Sequence, residues 1–282
     1  MTTVDTPKTH GHSHPSQTVE WIARIGYAAR GVIYLMIGGL ALLAAVGSGG
    51  QTGGSKSALQ SLHGEAYGQV LIILLAIGLL CYSLWRAVQS IKDPDNHGTD
   101  AKGLVIRVGL GVSALTHLSL AIYAASIVFV FGFGGGGGGG GGQSDSAQTW
   151  SGRLLRQPYG QWLLGLVGAA VIGVGIAQAA KAYREKYREH FKTKYRKNKW
   201  IDYTSKAGLY ARGAVFAIMG VMLIVAAYQH DQYKAGGLGK ALLTLQAQPY
   251  GWLLLGVVAL GLICFGIYSL IEARYRRIGG SA

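Results

Sequence analysis

Two arginines lie inside long apolar segments, where a cationic side chain needs a partner. Arg30 and Arg212 each stand in such a segment, and each is followed by a glycine. A charge at the centre of a membrane-spanning helix costs about 2.5 to 3.5 kcal/mol. The apolar segments, as bounded below, contain no Asp or Glu. We therefore expect that neither guanidinium has an acidic partner within the bilayer.

Two interpretations of these arginines remain open. In the first they are structural, and they snorkel to lipid phosphates or bond to carbonyls at helix ends. In the second they bind an anion or a lipid headgroup. Residues spaced by four share one face of a helix, so the arginines and their neighbours at this spacing define a candidate anion or headgroup site, made of Arg30, Tyr34, Ser113, His117 and Arg212.

His117 lies in the third apolar segment at the position that Tyr34 has in the first. Haem or a metal ion held there would need further ligands. No other apolar segment contains a histidine, and the two cysteines, Cys81 and Cys264, stand in different segments. We favour hydrogen-bonded packing for His117 and predict no metal and no cofactor.

A strongly basic stretch over residues 181–199 follows the fourth apolar segment. Aromatic residues recur in it every four positions, which indicates that the fourth helix continues as a basic helix with an aromatic stripe. Each basic side chain near an anionic membrane surface contributes about 1 kcal/mol of attraction. We predict lipid contact on the cytoplasmic face, with a protein partner as the alternative and no nucleic acid. The predicted contact residues are Lys181, Arg184, Lys186, Arg188, Lys192, Lys194, Arg196, Lys197 and Lys199.

Six apolar segments are spread along the 282 residues, of which only 13% are charged. Each has about 20 residues, enough to cross the hydrocarbon core as a helix. None shows the alternating pattern of a barrel strand. The sequence therefore predicts an all-α membrane protein with six transmembrane helices, at 26–46, 70–88, 108–131, 162–180, 209–228 and 252–271.

The positive charges predict the orientation of these helices. Nineteen of the 26 lysines and arginines fall in the two termini and in the even-numbered loops with their edges, where Arg86 is counted. Five fall on the opposite side, and the remaining two are Arg30 and Arg212. Cytoplasmic loops carry the excess of basic residues. We predict a multi-pass protein of the bacterial plasma (inner) membrane with both termini in the cytoplasm.

An internal repeat organises the six helices into three pairs. The segment GYAARGVIYLMIG from Gly26 returns as GLYARGAVFAIMG from Gly208, and GLGVSALTHLSLA from Gly109 is a divergent middle copy with Ser113 in place of the arginine. The second helix of each pair is preceded by a tyrosine and a glycine, at Tyr67, Tyr159 and Tyr250. Short apolar pairs before these tyrosines predict a brief interfacial helix in each unit.

These motifs resemble the bacterial family built from domain of unknown function 1206. The resemblance rests on ARG at residues 29–31 and 211–213 and on PYG at residues 158–160 and 249–251. The middle copy lacks ARG, and the first has Ala66 where the others have proline. The resemblance covers the chain from about Trp21 to about Arg277 and implies three paired-helix units, which can surround a pseudo-threefold axis along the membrane normal. It implies no activity.

The repeat divides the chain into a disordered cytoplasmic tail and three repeats. The tail, residues 1–20, contains the motif HGHSH, and the repeats comprise residues 21–92, 103–200 and 201–277. The second repeat contains a run of nine glycines at 134–142. This run lacks the Lys and Ser or Thr of a phosphate-binding loop, so we interpret it as an extracytoplasmic loop.

The sequence contains no nucleophile with a base, no paired carboxylates and no HExxH motif. We therefore expect a non-enzymatic membrane protein that acts as an accessory subunit, a scaffold or a lipid-interacting component, alone or as a homo-oligomer. The alternative is a channel or facilitator for a small anionic solute, with Arg30 and Arg212 along its path.

Overall fold

A computed structural model describes residues 17–63, 65, 67–132, 146–191 and 199–277 of the chain. The polyglycine run, HGHSH, Ala66 and four of the basic residues at 192–198 lie outside the described residues. Six helices in the described residues are long and apolar enough to cross a membrane, which confirms the predicted all-α membrane architecture. They are α1 (Gln17–Ala45), α3 (Gly68–Lys92), α4 (Ala101–Gly132), α6 (Gly160–Tyr183), α7 (Lys199–Tyr228) and α9 (Gly251–Tyr275).

A short helix precedes each even-numbered span, as the apolar pairs predict. These helices are α2 (Ser55–Ser61), α5 (Ser146–Leu155) and α8 (Leu238–Gln246). After α5 and α8 the chain turns sharply through a tyrosine with a left-handed backbone, at φ 63° for Tyr159 and 58° for Tyr250. Tyr67, after α2, has φ −108° instead. A Cβ atom on Gly160 would lie only 1.8 Å from the Leu154 carbonyl oxygen, and one on Gly251 only 2.0 Å from that of Gln246. The glycine of the PYG motif therefore permits this tight turn.

The start of α1 and the end of α9 lie at the same end of the bundle, which we call the termini face. There the Nη1 atom of Arg24 donates hydrogen bonds to the carbonyl oxygens of Ala273 at 2.8 Å and Arg274 at 2.7 Å. These bonds satisfy carbonyls at the end of α9 that have no partner within the helix. The first and third repeats are thus joined at their termini.

Helices of different repeats pack through small residues at equivalent positions. In the α1–α9 contact, a Cβ on Gly31 would lie 2.9 Å from the Gly266 carbonyl oxygen. In the α6–α7 contact, a Cβ on Gly175 would lie 2.7 Å from the Gly213 carbonyl oxygen. At the same level of the α3–α4 contact, Ser83 donates a 2.7 Å hydrogen bond to the Ala114 carbonyl. Such close backbone approaches are typical of membrane helix pairs.

Helices within one repeat pack closely only in the first and third repeats. Gly26 lies against the Tyr82 backbone and Gly208 against the Phe265 backbone, each so close that a Cβ would approach to 2.5 Å. Gly109, the equivalent residue of α4, has no such neighbour within 4 Å. In the described part of the chain, α4 and α6 form no packed interface.

Over the residues that the structure describes, the three repeats therefore form an open arc in the order α4, α3, α1, α9, α7, α6, without closing into a pseudo-threefold ring. A side-chain difference accounts for the opening. In the outer repeats an alanine, Ala29 or Ala211, lies directly against a glycine of the partner helix. The middle repeat has the larger, β-branched Val112 at the alanine position and Ala170 at the glycine position, so this pair has too much volume for the same close approach.

The prediction of a continuous basic helix over residues 181–199 is wrong. Helix α6 ends at Tyr183, Glu185 has a left-handed backbone with φ 53°, and a short 3₁₀ helix follows at Lys186–His190. Tyr187 and Phe191 are fully buried against Tyr268 instead of forming an exposed stripe. Burial of these rings in the bundle end outweighs the local helical periodicity.

Candidate functional site

Arg30 is buried at the centre of the bundle, with only 3% of its surface exposed. Its Nη2 atom lies 2.6 Å from Oε2 of Glu272, and its Nη1 donates a 2.5 Å hydrogen bond to the Tyr82 hydroxyl. Nε and Nη2 both donate to Ser269 Oγ, at 3.2 Å and 3.0 Å. The expectation that Arg30 has no acidic partner is therefore wrong. The sixth apolar segment ends at Ile271, but helix α9 continues to Tyr275 and carries Glu272 on its inner face.

Glu272 belongs to a wider network at the termini face. Its Oε1 accepts hydrogen bonds from Arg276 Nη1 at 2.8 Å and from the Tyr268 hydroxyl at 3.0 Å. Arg276 also contacts Asp95 at 3.4 Å. One buried carboxylate is thus shared by two guanidinium groups from α1 and the end of α9. Arg276 Nε is buried without a hydrogen-bond partner among the described residues, but Arg30 has no such orphan atom. A network of this kind positions helices, and it supports the structural interpretation of Arg30.

Arg212 occupies the position of Arg30 in the third repeat but has different surroundings. Its guanidinium carbon lies 4.7 Å from the ring centre of Phe265, 5.0 Å from that of Phe216 and 5.7 Å from that of Tyr34. Its Nε is buried without a hydrogen-bond partner. Among the residues that the structure describes, Arg212 forms no ion pair. The contacts of this cation among the described residues are with aromatic faces, and its side chain is partly exposed.

The repeat explains why Arg212 has no anionic partner. The α6 residue equivalent to Glu272 is Lys181, and the α9 residue equivalent to Tyr82 is Phe265, which has no hydroxyl group. A carboxylate and a phenol of the first site are thus replaced by a lysine and a phenyl ring. The two arginines have the same place in the repeat but opposite electrostatic environments.

The structure brings together the predicted candidate residues around two aromatic rings. Arg30 and Arg212 both lie over the Phe265 ring, with Arg30 at 5.1 Å and Arg212 at 4.7 Å. Tyr34 meets this ring edge to face at 4.7 Å, and His117 meets the Tyr82 ring at 4.5 Å.

Ser113 contributes its main chain to this cluster. Its carbonyl oxygen accepts a 2.8 Å hydrogen bond from His117 Nδ1. His117 is therefore anchored to its own helix while its ring lies against Tyr82.

Arg86 also belongs to this cluster, although it was not among the residues predicted for the site. Arg86 bonds to the Tyr82 hydroxyl and to the Gln89 side-chain oxygen, which are both neutral. Arg86, Arg30 and Arg212 all interact electrostatically with His117. The available signal was the position of Arg86 inside the second apolar segment, 70–88, where a cation is costly without a partner.

The predicted lipid-contact residues fall into different environments. Arg184, Lys186 and Lys199 are exposed at the termini face. Lys181 is only partly exposed and interacts electrostatically with Glu272 and Arg276. The remaining described residue, Arg188, is engaged within the protein.

Arg188 forms ion pairs with Glu185 at 2.5 Å and with Asp202 at 2.8 Å. Asp202 also accepts a hydrogen bond from the Tyr187 hydroxyl. Burial and this hydrogen bond raise the pKa of Tyr187 above its ordinary value. Arg188 is therefore less available to lipid than the exposed basic residues around it.

Comparison with known proteins agrees with the repeat. The profile of a family described as Domain of Unknown Function (DUF1206) matches residues 25–93, 108–185 and 207–276. The chain belongs to the DUF1206 family. Each matched segment of this DUF1206 protein contains one pair of long helices, and the second includes the open pair α4 and α6.

A relative in Bacillus subtilis (strain 168), the uncharacterized protein YxxB, is 37% identical over 268 residues. The alignment covers 93% of this DUF1206 protein and 94% of the relative. No solved structure matches the chain. The relationship thus extends over the whole three-repeat architecture.

Proposed function

We propose that this protein is a non-enzymatic component of the bacterial plasma membrane that binds anionic lipid at its cytoplasmic side and serves there as a scaffold or accessory subunit. The proposal equates the termini face with the cytoplasmic face. The excess of lysines and arginines on that side supports this orientation.

The observation that carries the proposal is the imbalance of charge within the termini-face half of the bundle. Five cationic side chains lie in this half, those of Arg30, Arg86, Lys181, Arg212 and Arg276. The carboxylates that contact them are those of Glu272 and Asp95. Anionic headgroups are abundant at the cytoplasmic leaflet and would neutralise the surplus.

Exposed cations extend this positive surface toward the lipid headgroups. Arg184 follows the end of α6, and Lys199 is the first residue of α7. Both side chains are exposed, and both lie outside the apolar segments of their helices. Each adds about 1 kcal/mol of attraction to an anionic leaflet.

Reconstitution of the full chain into nanodiscs of mixed phosphatidylglycerol and phosphatidylcholine tests the proposal. Native mass spectrometry of the released protein measures which lipids it retains. We expect phosphatidylglycerol to be enriched over its share of the disc, and the double substitution Arg184→Gln with Lys199→Gln to reduce the enrichment.

Arg156→Gln with Lys234→Gln provides the matched control, because both residues are exposed and lie outside the termini face. Retained lipid that simply mirrors the composition of the disc would refute the proposal. An equal loss of enrichment in both double variants would refute the assigned orientation.

An anion facilitator is the second candidate, and the unpartnered Nε of Arg212 favours it. Arg30 argues against it, because Glu272 already neutralises the guanidinium that would line a path. Flux of chloride or phosphate into proteoliposomes tests this candidate. A facilitator would lose flux in Arg212→Ala, whereas a protein that transports neither anion gives the same background with and without the substitution.

A further inference from the structure

The middle repeat leaves an opening between α4 and α6 at the place where the outer repeats are closed. Gly109 has no neighbour within 4 Å in the contact where Gly26 and Gly208 meet a partner backbone. Val174 of α6 is 46% exposed, whereas Tyr82 and Phe265, its equivalents in the other repeats, are each 1% exposed. Val112 of α4 is 58% exposed. The walls of the opening are therefore apolar and uncovered.

Three cations near this opening have no carboxylate bound to them among the described residues. Arg86 bonds only to neutral groups, and Arg212 has an orphan Nε surrounded by aromatic rings. Lys181 lies two helical turns beyond Val174 on the same side of α6, at the termini-face end of the opening. Lys181 interacts electrostatically with Glu272, but that carboxylate is already bonded to Arg30 and Arg276.

These charges converge on the same interior region. The guanidinium carbon of Arg86 lies 4.9 Å from the centre of the Tyr82 ring, which also contacts His117 of α4 at 4.5 Å. Arg30 lies between the Tyr82 ring and the Phe265 ring, and Arg212 lies over Phe265 at 4.7 Å. Lys181 is the repeat equivalent of Glu272, which contacts Arg30 at 2.6 Å, so the repeat places Lys181 beside Arg212. A group of like charges in a low-dielectric bundle is costly unless an anion joins it.

We propose that the opening between α4 and α6 binds one anionic phospholipid, with its phosphate held by Arg212, Arg86 and Lys181 and its acyl chain along Val112 and Val174. This inference rests on the proposed function and assigns a specific site to it. Arg30 is excluded from the site because Glu272 already binds it. Ser113 stands where the outer repeats have arginine, and its smaller side chain leaves room beside the headgroup.

A lipid fits this opening better than a free anion or a second copy of the chain. The apolar walls match an acyl chain, which inorganic phosphate lacks. A second copy would bring its own Arg86, Arg212 and Lys181 toward the first set, and the like charges would repel. Only an amphipathic anion satisfies both the cations and the exposed valines.

Lipid binding by the full chain purified in detergent provides the test. Native mass spectrometry would follow the addition of dioleoyl phosphatidylglycerol or dioleoyl phosphatidylcholine, and thermal unfolding would be measured with each lipid and with inorganic phosphate. We expect one phosphatidylglycerol to bind in preference to phosphatidylcholine, and to stabilise the fold more than phosphate does.

Substitutions test separately what the charges and the opening contribute to lipid binding. Arg212→Gln and Lys181→Gln should each weaken phosphatidylglycerol binding by about tenfold, the value of one charge-assisted hydrogen bond. Arg212→Lys should retain more binding than Arg212→Gln because it keeps the charge. Gly109→Trp should fill the opening and reduce lipid binding without changing any charge. Arg156→Gln is the control, because Arg156 is exposed and lies outside the termini face.

Each result has a defined consequence. Unchanged binding in Arg212→Gln, Lys181→Gln and Gly109→Trp would overturn the site. The proposed function would still stand if the unmodified protein preferred phosphatidylglycerol. The absence of any such preference would overturn both. Equal stabilisation by phosphate would indicate a free anion, and a dimer abolished by Gly109→Trp would indicate a second copy, so either result overturns the lipid assignment.

Should Gly109→Trp fail to fold, Lys181→Gln still decides the question. Its side chain is partly exposed and forms no hydrogen bond among the described residues. Circular dichroism and size-exclusion chromatography of each variant establish that its fold is retained before binding is compared.

Discussion

Arg30 and Glu272 form an ion pair with 2.6 Å between Nη2 and Oε2, and both side chains are 3% exposed. The pair joins the first span to the last across 242 residues of sequence. Its equivalent in the third repeat would join Arg212 to Lys181, which cannot pair. The equivalent arginines of the first and third repeats therefore differ: Arg30 is ion-paired to Glu272, whereas Arg212 has no carboxylate partner among the described residues.

Removal of Glu272 should destabilise the protein more than removal of Arg30. Glu272→Gln leaves both Arg30 and Arg276 without their carboxylate, and breaking a buried pair costs about 3 to 5 kcal/mol. Arg30→Met leaves Glu272 paired with Arg276 and should cost less. Unfolding in detergent, followed by circular dichroism, gives the order of the unfolding free energies.

Arg212→Met is the matched control for this series. Because Arg212 forms no ion pair among the described residues, we expect little loss of stability in lipid-free detergent. A loss as large as that of Arg30→Met would contradict the assignment of different roles to the two arginines.

Gly26→Ala should destabilise the first repeat, because the added Cβ would approach the Tyr82 Cα to 2.5 Å. That atom belongs to the backbone, so the two helices must separate, at a cost of about 1 to 3 kcal/mol. Gly39→Ala on the same helix meets nothing within 4 Å and should be neutral or slightly stabilising. Thermal midpoints in detergent compare the two, and equal midpoints would contradict the packing.

A disulfide should form between Ala45→Cys and Gly256→Cys, in a chain whose native Cys81 and Cys264 are replaced by serine. A Cβ on Gly256 would lie 3.8 Å from Ala45 Cβ, close to the mean separation of about 3.8 Å in natural disulfides. A protease site inserted in the 134–142 segment would separate the two cysteines onto different fragments. The fragments should then migrate together on a gel without reductant.

Ala45→Cys with Gly165→Cys is the control for this cross-link. Gly165 is the repeat equivalent of Gly256, but its Cβ would lie 3.9 Å from Ala227, on α7. We expect no cross-link between Ala45→Cys and Gly165→Cys. Efficient linkage of that pair would show that the order of helices in the arc is different.

Tyr187 should make stability dependent on alkaline pH. Its pKa is raised in the folded protein by burial and by the bond to Asp202, so its contribution is fully present below the unfolded pKa of about 10. The contribution is lost as pH rises from there through the folded pKa. Relative to Tyr187→Phe, the unmodified protein should lose unfolding free energy above that pH.

Tyr183→Phe is the control for this titration, because Tyr183 is exposed on the same segment. It should show the same pH dependence as the unmodified protein. Identical slopes for the unmodified protein and Tyr187→Phe would contradict the raised pKa.

The sequence by itself determined the six spans, the three paired-helix repeats and the short helices before the even-numbered spans. Runs of apolar residues and recurring ARG and PYG motifs are local signals, and a bilayer requires each apolar run to satisfy its own backbone as a helix. The sequence also indicated that Arg30, Tyr34, His117 and Arg212 lie at about one level of the bundle, because equivalent residues of a repeat occupy equivalent positions in the fold.

Only the tertiary structure decided which of these residues have partners. The carboxylate of Glu272 comes from the opposite end of the chain, and its burial depends on how far α9 extends beyond its apolar run. The opening between α4 and α6 depends on whether Val112 permits two helices to meet as closely as Ala29 and Ala211 do. The turn after Tyr183 follows from the burial of Tyr187 and Phe191. In each case contacts between segments that are distant in the sequence outweigh the local conformational preference. The spacing of residues along the chain does not predict such contacts.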